Sequence, residues 1–230
     1  MRKLLVAVLV LLVLGVAADF LAARVAENRV AEVLQREYDL SRRPVVQVRD
    51  FPFLPHLLTG RFDTVDLAAD DVRARGVTAR RVEVHLHDVT VDRSVLLSGH
   101  GTITVGHADG QVELGQAELS RLLAERLQGG SLAIAEDGVR LRVSTDLLGQ
   151  PVDAVVTGQL GASGGQVRFT PRQVQVQGLP DGALSRQLAA AFTFPVPLPE
   201  LPAGIRIERV VTRPGALVVS GRAAAVRVPT

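Results

Sequence analysis

Residues 77–91, Val-Thr-Ala-Arg-Arg-Val-Glu-Val-His-Leu-His-Asp-Val-Thr-Val, limit the fold more than any other stretch of the chain. Val82, Val84 and Leu86 alternate with Arg81, Glu83, His85 and His87, a period of two that gives a strand one apolar face and one wet face. Strands of that kind belong to antiparallel sheets, because the parallel sheets of α/β proteins are covered on both sides. Val, Leu and Ala supply most of the 47% hydrophobic content, and Val suits a pleated, half-buried surface. The fold class expected is therefore α+β, with most of the chain in hairpins.

Turn chemistry divides the remainder. Residues 45–50 read as a short strand, and residues 61–69 as another with a slip at Thr64. Residues 98–108 and 112–114 read as two strands joined at Asp109-Gly110. Residues 116–128 have Leu119, Leu122, Leu123 and Leu127 at helical spacing and end at Gly129-Gly130. Glu136-Asp137-Gly138 joins residues 132–135 to 139–143, and residues 161–165 join 152–160 to 166–169. A second helix is expected over 183–191, and a closing hairpin of residues 205–211 and 217–228 about Arg213-Pro214-Gly215. The order strands, helix, strands occurs around 77–150 and again around 152–228, which suggests internal duplication without a residue-level repeat.

The N-terminus has the form of an export signal. Arg2 and Lys3 precede fifteen uncharged apolar residues, 4–18, and Asp19 ends the run. Val16-Ala17-Ala18 and Leu21-Ala22-Ala23 both offer small residues for cleavage, whereas a helix over 19–37 with Ala22, Ala26, Val30, Val33 and Leu34 on one face would continue an uncleaved anchor. The expected organisation is a signal peptide or membrane anchor at 1–18 and one domain over 19–230. The expected location is outside the cytoplasmic membrane, in the cell envelope or a periplasm-like space. With Arg2 and Lys3 set aside, 24 basic residues balance 24 acidic ones, and aromatics are sparse, which argues against nucleic acid as a partner. The absence of Cys excludes disulfides, thiolate metal sites and a Cys nucleophile.

Few motifs carry chemistry. Gly161-Ala-Ser163-Gly-Gly165 fits the hydrolase pattern G-x-S-x-G, but a strand rather than a helix follows, as a hairpin turn requires. His85 and His87 share a strand face beside Asp88, with His100 and His107 elsewhere, and nothing in the sequence completes a metal site. Asp63, Asp66, Asp70 and Asp71 have no indicated acid–base partner. No catalytic residue, cofactor or metal is expected. Arginines at 42, 43, 49, 61, 73, 75, 80 and 81 form a solvated face or a surface for anionic headgroups.

Two segments are apolar, aromatic and stiff: Phe51-Pro-Phe-Leu-Pro-His-Leu-Leu-Thr-Gly-Arg-Phe62 and Phe192-Thr-Phe-Pro-Val-Pro-Leu-Pro-Glu-Leu-Pro202. Their prolines argue against an ordinary helix or central strand, and their rings must be buried in a core or line an apolar pocket. The first block, with Asp63-Thr-Val-Asp-Leu67 after it and the Phe194-x-Val196-x-Leu198-Pro-x-Leu-Pro202 segment, resembles the LmeA-like actinobacterial envelope proteins. Asp50 stands where that family has glycine.

The resemblance implies a tubular lipid-binding type of fold, a long helix in a strongly curved antiparallel sheet with an apolar interior cavity. It also implies a non-enzymatic phospholipid- or glycolipid-binding protein that supports envelope glycolipid or lipoglycan biogenesis at a membrane surface. The residues expected to line or gate the apolar site are Phe51, Phe53, Leu54, Leu57, Leu58, Phe62, Phe192, Phe194, Val196 and Leu198, with Arg61 at the headgroup. An envelope scaffold that binds a protein partner is the alternative, and a hydrolase using Ser163 the third reading.

Overall fold

The structure, a computed structural model, describes residues 2–74, 76–92, 94–95, 101–124, 130–147, 150–176, 193–196 and 205–229. The expected helix over 183–191, together with Phe192 and Leu198, lies outside them. Helix α1 (Arg2–Glu37) is unbroken and carries the apolar run directly into the amphipathic half. Strand β1 (Val45–Val48) and helix α2 (Phe53–Thr59) follow, then the long strands β2 (Arg61–Ala74), β3 (Val77–Val91) and β4 (Thr102–Gly115). Helix α3 (Gln116–Leu122) precedes β5 (Ser131–Ala135), β6 (Gly138–Leu147), β7 (Gln150–Ser163) and β8 (Gln166–Val176). The short β9 (Phe194–Pro195) and the hairpin β10 (Ile205–Arg213) and β11 (Ala216–Pro229) complete the chain. One sheet has the order β1-β2-β3-β4-β11-β10 and the other β5-β6-β7-β8-β9. The protein is thus α+β, an N-terminal helix with antiparallel sheets.

Contacts divide the chain into two compact units: residues 1–70, 83–109 and 223–230 in the first, and residues 71–82 and 110–222 in the second. The first holds α1, β1 and α2. Its core is Phe53, Phe62, Val89 and Val105, against which Ala22, Ala23, Ala26, Val48, Leu57, Val65 and Leu86 pack. The second is built on hairpins. Glu136 and Asp137 form a two-residue turn between Ala135 and Gly138, which pair. Ser163 pairs with Gln166 across Gly164 and Gly165, both left-handed at φ 60° and 74°, the geometry of the primed turns that fit twisted strands. Leu119, Leu123, Leu141, Val156, Val167, Phe169, Phe194 and Leu217 are buried together in this unit.

Helix α3 is fixed by polar side chains at its start: the Gln116 Oε1 accepts the Ile134 N–H at 3.0 Å and the Glu118 Oε1 accepts the Thr78 N–H at 3.0 Å. Arg121 in turn donates to Glu118 and to the Gly76 carbonyl.

Two expectations are corrected. Asp109-Gly110 is no turn: β4 runs through both residues, as a neighbour of β3 in the sheet. The Phe51–Phe62 block is not irregular throughout. Pro52 is the N-cap of α2 and Pro55 falls in its first turn, where a missing N–H leaves no intrahelical bond unmade. The alternation in β3 also changes phase. Asp88 takes φ 54°, so Val89, and not the next even-numbered residue, is buried.

Candidate functional site

An aspartate on α1 organises the first unit. Asp19 is only 5% exposed, and its two carboxylate oxygens accept the backbone N–H groups of Phe53 and Leu54, each at 2.7 Å. Those donors begin α2 and have no partner within the helix, so the carboxylate satisfies them and meets the positive end of the peptide dipoles. Pro52 offers no side-chain cap, which leaves this task to Asp19. The far end of α2 closes on Gly60, left-handed at φ 70°, whose N–H donates to the His56 carbonyl at 2.8 Å. The Gly60 carbonyl then accepts the Val91 N–H at 2.7 Å, tying the turn to β3. A second carboxylate of α1, Glu27, accepts the Val48 N–H at 2.9 Å and holds β1 to the same helix.

Between α1, β1 and residues 49–53 lies a cleft of about 550 Å³. Its apolar wall includes Phe20, Ala23, Val45, Phe51 and Phe53; its rim carries Arg24, Arg43 and Arg49. The Phe20 and Phe51 rings pack against each other in its lining, with centroids 5.8 Å apart. The arginines are well exposed and make ion pairs with Glu27, Glu32 and Asp66 respectively. A space lined by both rings and guanidinium groups suits a molecule with an apolar part and an anionic part.

Asp66 joins the rim to the sheet. It accepts from Arg49 Nε at 2.6 Å and pairs with His85 Nδ1 at 2.7 Å. Burial alone pushes the Asp66 carboxyl up, but the hydrogen bonds and charges of His85 and Arg49 outweigh it and hold the carboxyl below its ordinary value. The hydrogen bond to Asp66 raises His85 against its own desolvation, with the charges of Asp66, Asp109 and Glu83 adding to it.

The described residues named from the sequence fall in both units. Phe51 and Phe53 reach the cleft. Phe53 is 2% exposed and, 5.9 Å from the Phe62 ring, is also part of the core, on which Leu57 packs. Leu54 and Leu58 point to solvent, and Arg61 is exposed. Phe194 and Val196 are buried in the second unit, where Phe194 pairs with Phe169 at 5.5 Å between rings. In the sequence Asp19 marks only the end of the apolar run, and Phe20 carries no signal of a site. The signal available was an acidic residue inside a helix-length run of apolar ones.

Ser163 ends a strand and opens a hairpin, so the strand–helix elbow that exposes a hydrolase nucleophile is not formed there. His87 and His107 stack at 4.4 Å, with Asp109 and Asp88 respectively at 3.2 and 3.6 Å. Among the described residues no group of three or more His, Asp or Glu is placed to hold a metal ion. His100 lies outside them.

The fold and site define an α+β protein whose amphipathic cleft is built on an apolar N-terminal helix. Residues 17–222 match the model of the LmeA-like phospholipid-binding family, and the chain belongs to that family. No curated protein and no solved structure matches the chain.

Proposed function

We propose that this protein binds a phospholipid in the cleft beside α1, without chemical conversion of it. The carrying observation is the cleft itself, which is lined by Phe20, Phe51 and Phe53 together with Arg24, Arg43 and Arg49 in a chain of a phospholipid-binding family. Guanidinium groups pair with phosphate oxygens in a fork, and the rings supply an apolar surface for the first acyl carbons. Arg61, exposed at the end of α2, is a further headgroup contact. The reading includes an apolar path for the acyl chains inside a curved sheet, transfer between membranes, and service to envelope glycolipid assembly on the exported side of the membrane.

The test is lipid extraction and mass spectrometry on the full chain purified in mild detergent, with Phe51→Asp/Arg43→Ala beside it. Both proteins keep α1, so lipid held loosely around that helix is the same in each. The expected result is stoichiometric phospholipid on the wild type and about tenfold less on the variant, as the loss of one charged hydrogen-bonding partner implies. Equal lipid on two folded proteins, or none on the wild type after incubation with liposomes, overturns the proposal.

A further inference from the structure

In the sequence Asp19 ends the apolar run at fifteen residues, which as helix measures about 22 Å and falls short of the roughly 30 Å hydrocarbon core of a bilayer. The structure changes that reckoning. The Asp19 carboxylate is turned inward and taken up by the Phe53 and Leu54 N–H groups, so its charge does not interrupt the outer face of α1. Phe20, Leu21 and Val25 continue the outward apolar surface of Leu9, Leu11 and Leu14. From Leu4 to Val25 the helix covers about 33 Å, enough to span the core. Among the described residues α1 is long and apolar enough to cross a membrane, and its most apolar window is only 6% buried. Arg2 and Lys3 precede this face and Arg24, 80% exposed, stands at its other end, where a long cationic side chain reaches the headgroups.

The same carboxylate fixes where α2 sits along α1. With its first turn held at Asp19 and Phe51 against Phe20, the short helix lies beside the last turn or two of the apolar face. Leu58, 77% exposed, Phe51, 59% exposed, and Leu54 point outward there. Large apolar side chains exposed at the level where a spanning segment ends belong in the interfacial layer of a bilayer.

We propose that α1 is a retained transmembrane anchor and that α2, with Phe51 just before it, is an interfacial foot, Phe51, Leu54 and Leu58 entering the leaflet from which the rest of the chain emerges. The basic pair before the span puts the N-terminus on the cytoplasmic side and that leaflet on the outer side. Cleavage after Ala23 would remove Asp19, the acceptor of the α2 N–H groups, so the fold disfavours that one of the two cleavage sites. This deepens the phospholipid reading and rests on it in one respect: the cleft flanking Phe20 and Phe51 would open at headgroup depth, where its ligand is.

The chain contains no Trp, so a single introduced indole reports alone. Full-length Leu58→Trp is reconstituted in vesicles of phosphatidylcholine and phosphatidylglycerol, with Glu37→Trp as the control. Glu37 is exposed and lies twelve residues beyond Val25 on the same helix, about 18 Å further from the bilayer. The expected result is blue-shifted emission from Leu58→Trp, quenched by lipids brominated near the headgroup end of the acyl chain, with water-like, unquenched emission from Glu37→Trp. Intact mass of protein from the native membrane is expected to include residues 1–18.

Water-like emission at both positions overturns the foot, and a mass starting after Ala18 or Ala23 overturns the anchor. A blue shift that bromolipid leaves untouched and that grows with protein concentration assigns the surface to a protein contact, and so also overturns the foot. These outcomes separate from the cleft: extracted lipid that depends on Phe51 and Arg43, with no quenching at Leu58→Trp, leaves lipid binding standing and removes only the foot.

Discussion

The two units use similar amounts of aliphatic sequence to different ends. The second turns it inward. Leu119, Leu217, Val156 and Val167 have no exposed surface and belong to one buried cluster. Among the described residues the first has a small buried core cluster, Phe53, Phe62, Val89 and Val105, to which α1 contributes Ala22, Ala23 and Ala26. Its larger side chains, Phe20, Leu21, Val25, Phe51 and Leu58, stay outside. An alanine methyl loses no side-chain entropy on burial but offers little surface for dispersion, so the polar ties from Asp19 and Glu27 help to set the position of α1. The difference teaches that apolar content alone does not locate a core. Where apolar surface remains exposed beside a cleft, it marks the part of the molecule that meets something else.

The contrast is broken most strongly by truncation. Phe169→Ala, at a ring 1% exposed, is expected to destabilise the second unit by about 3–5 kcal/mol, while Leu58→Ala changes stability by no more than about 0.5 kcal/mol. Thermal and urea unfolding of the detergent-solubilised chain, followed by circular dichroism, measures both. Comparable losses would mean that α2 is as much core as β8. Asp19→Ala comes next. It leaves the Phe53 and Leu54 N–H groups without their acceptor, at a cost of about 1–3 kcal/mol, confined to the first unit. Hydrogen exchange should quicken at those two amides and leave the 131–143 hairpin unchanged. Gly60→Ala is smaller, about 1–2 kcal/mol, since φ 70° disfavours a side chain and its Cβ would meet the Val91 carbonyl. It should loosen the end of α2 in the same exchange experiment.

Local chemistry was legible in the sequence and distant partnership was not. The turns at Glu136-Asp137, Gly164-Gly165 and Pro214-Gly215 are dictated by the residues that make them, and β3 by its own alternation. Asp109-Gly110 carries an equally good turn signal, yet a continuous neighbour in the sheet overrides it. The prolines of the 51–62 block look like breakers until the start of α2 is known, and that start is set by a carboxylate 34 residues earlier. Asp19 itself reads as the end of an apolar run, because a sequence cannot display the two N–H groups that neutralise its cost. The cleft was half visible: Phe51, Phe53, Arg43 and Arg49 stood out by composition, whereas Phe20 and Arg24 join them only because α1 is continuous.

The smallest effect sharpens the comparison by pH. Each unit has an exposed ion pair against its sheet, Asp66–His85 in the first and Glu118–Arg121 in the second. His85 is raised above its ordinary value of about 6.5, so its contribution is complete below that pH and fades as pH climbs through the raised value. Asp66 and Glu118 are lowered from about 3.8 and 4.5, so theirs are complete above those values and fade only as pH falls through the depressed ones. Between roughly pH 4.5 and 6.5 both pairs are fully formed. Raising pH further weakens only the first, because the arginine of the second keeps its charge. The loss is no more than about 1 kcal/mol, since solvent screens both pairs. Hydrogen exchange on the wild type and His85→Gln at pH 6 and pH 8.5, corrected for intrinsic rates, reads it. The wild-type advantage around β2 and β3 should narrow at the higher pH, with α3 the same in both proteins. An advantage that persists unchanged to pH 8.5 would show that the His85 ring holds Asp66 by its neutral hydrogen bond alone.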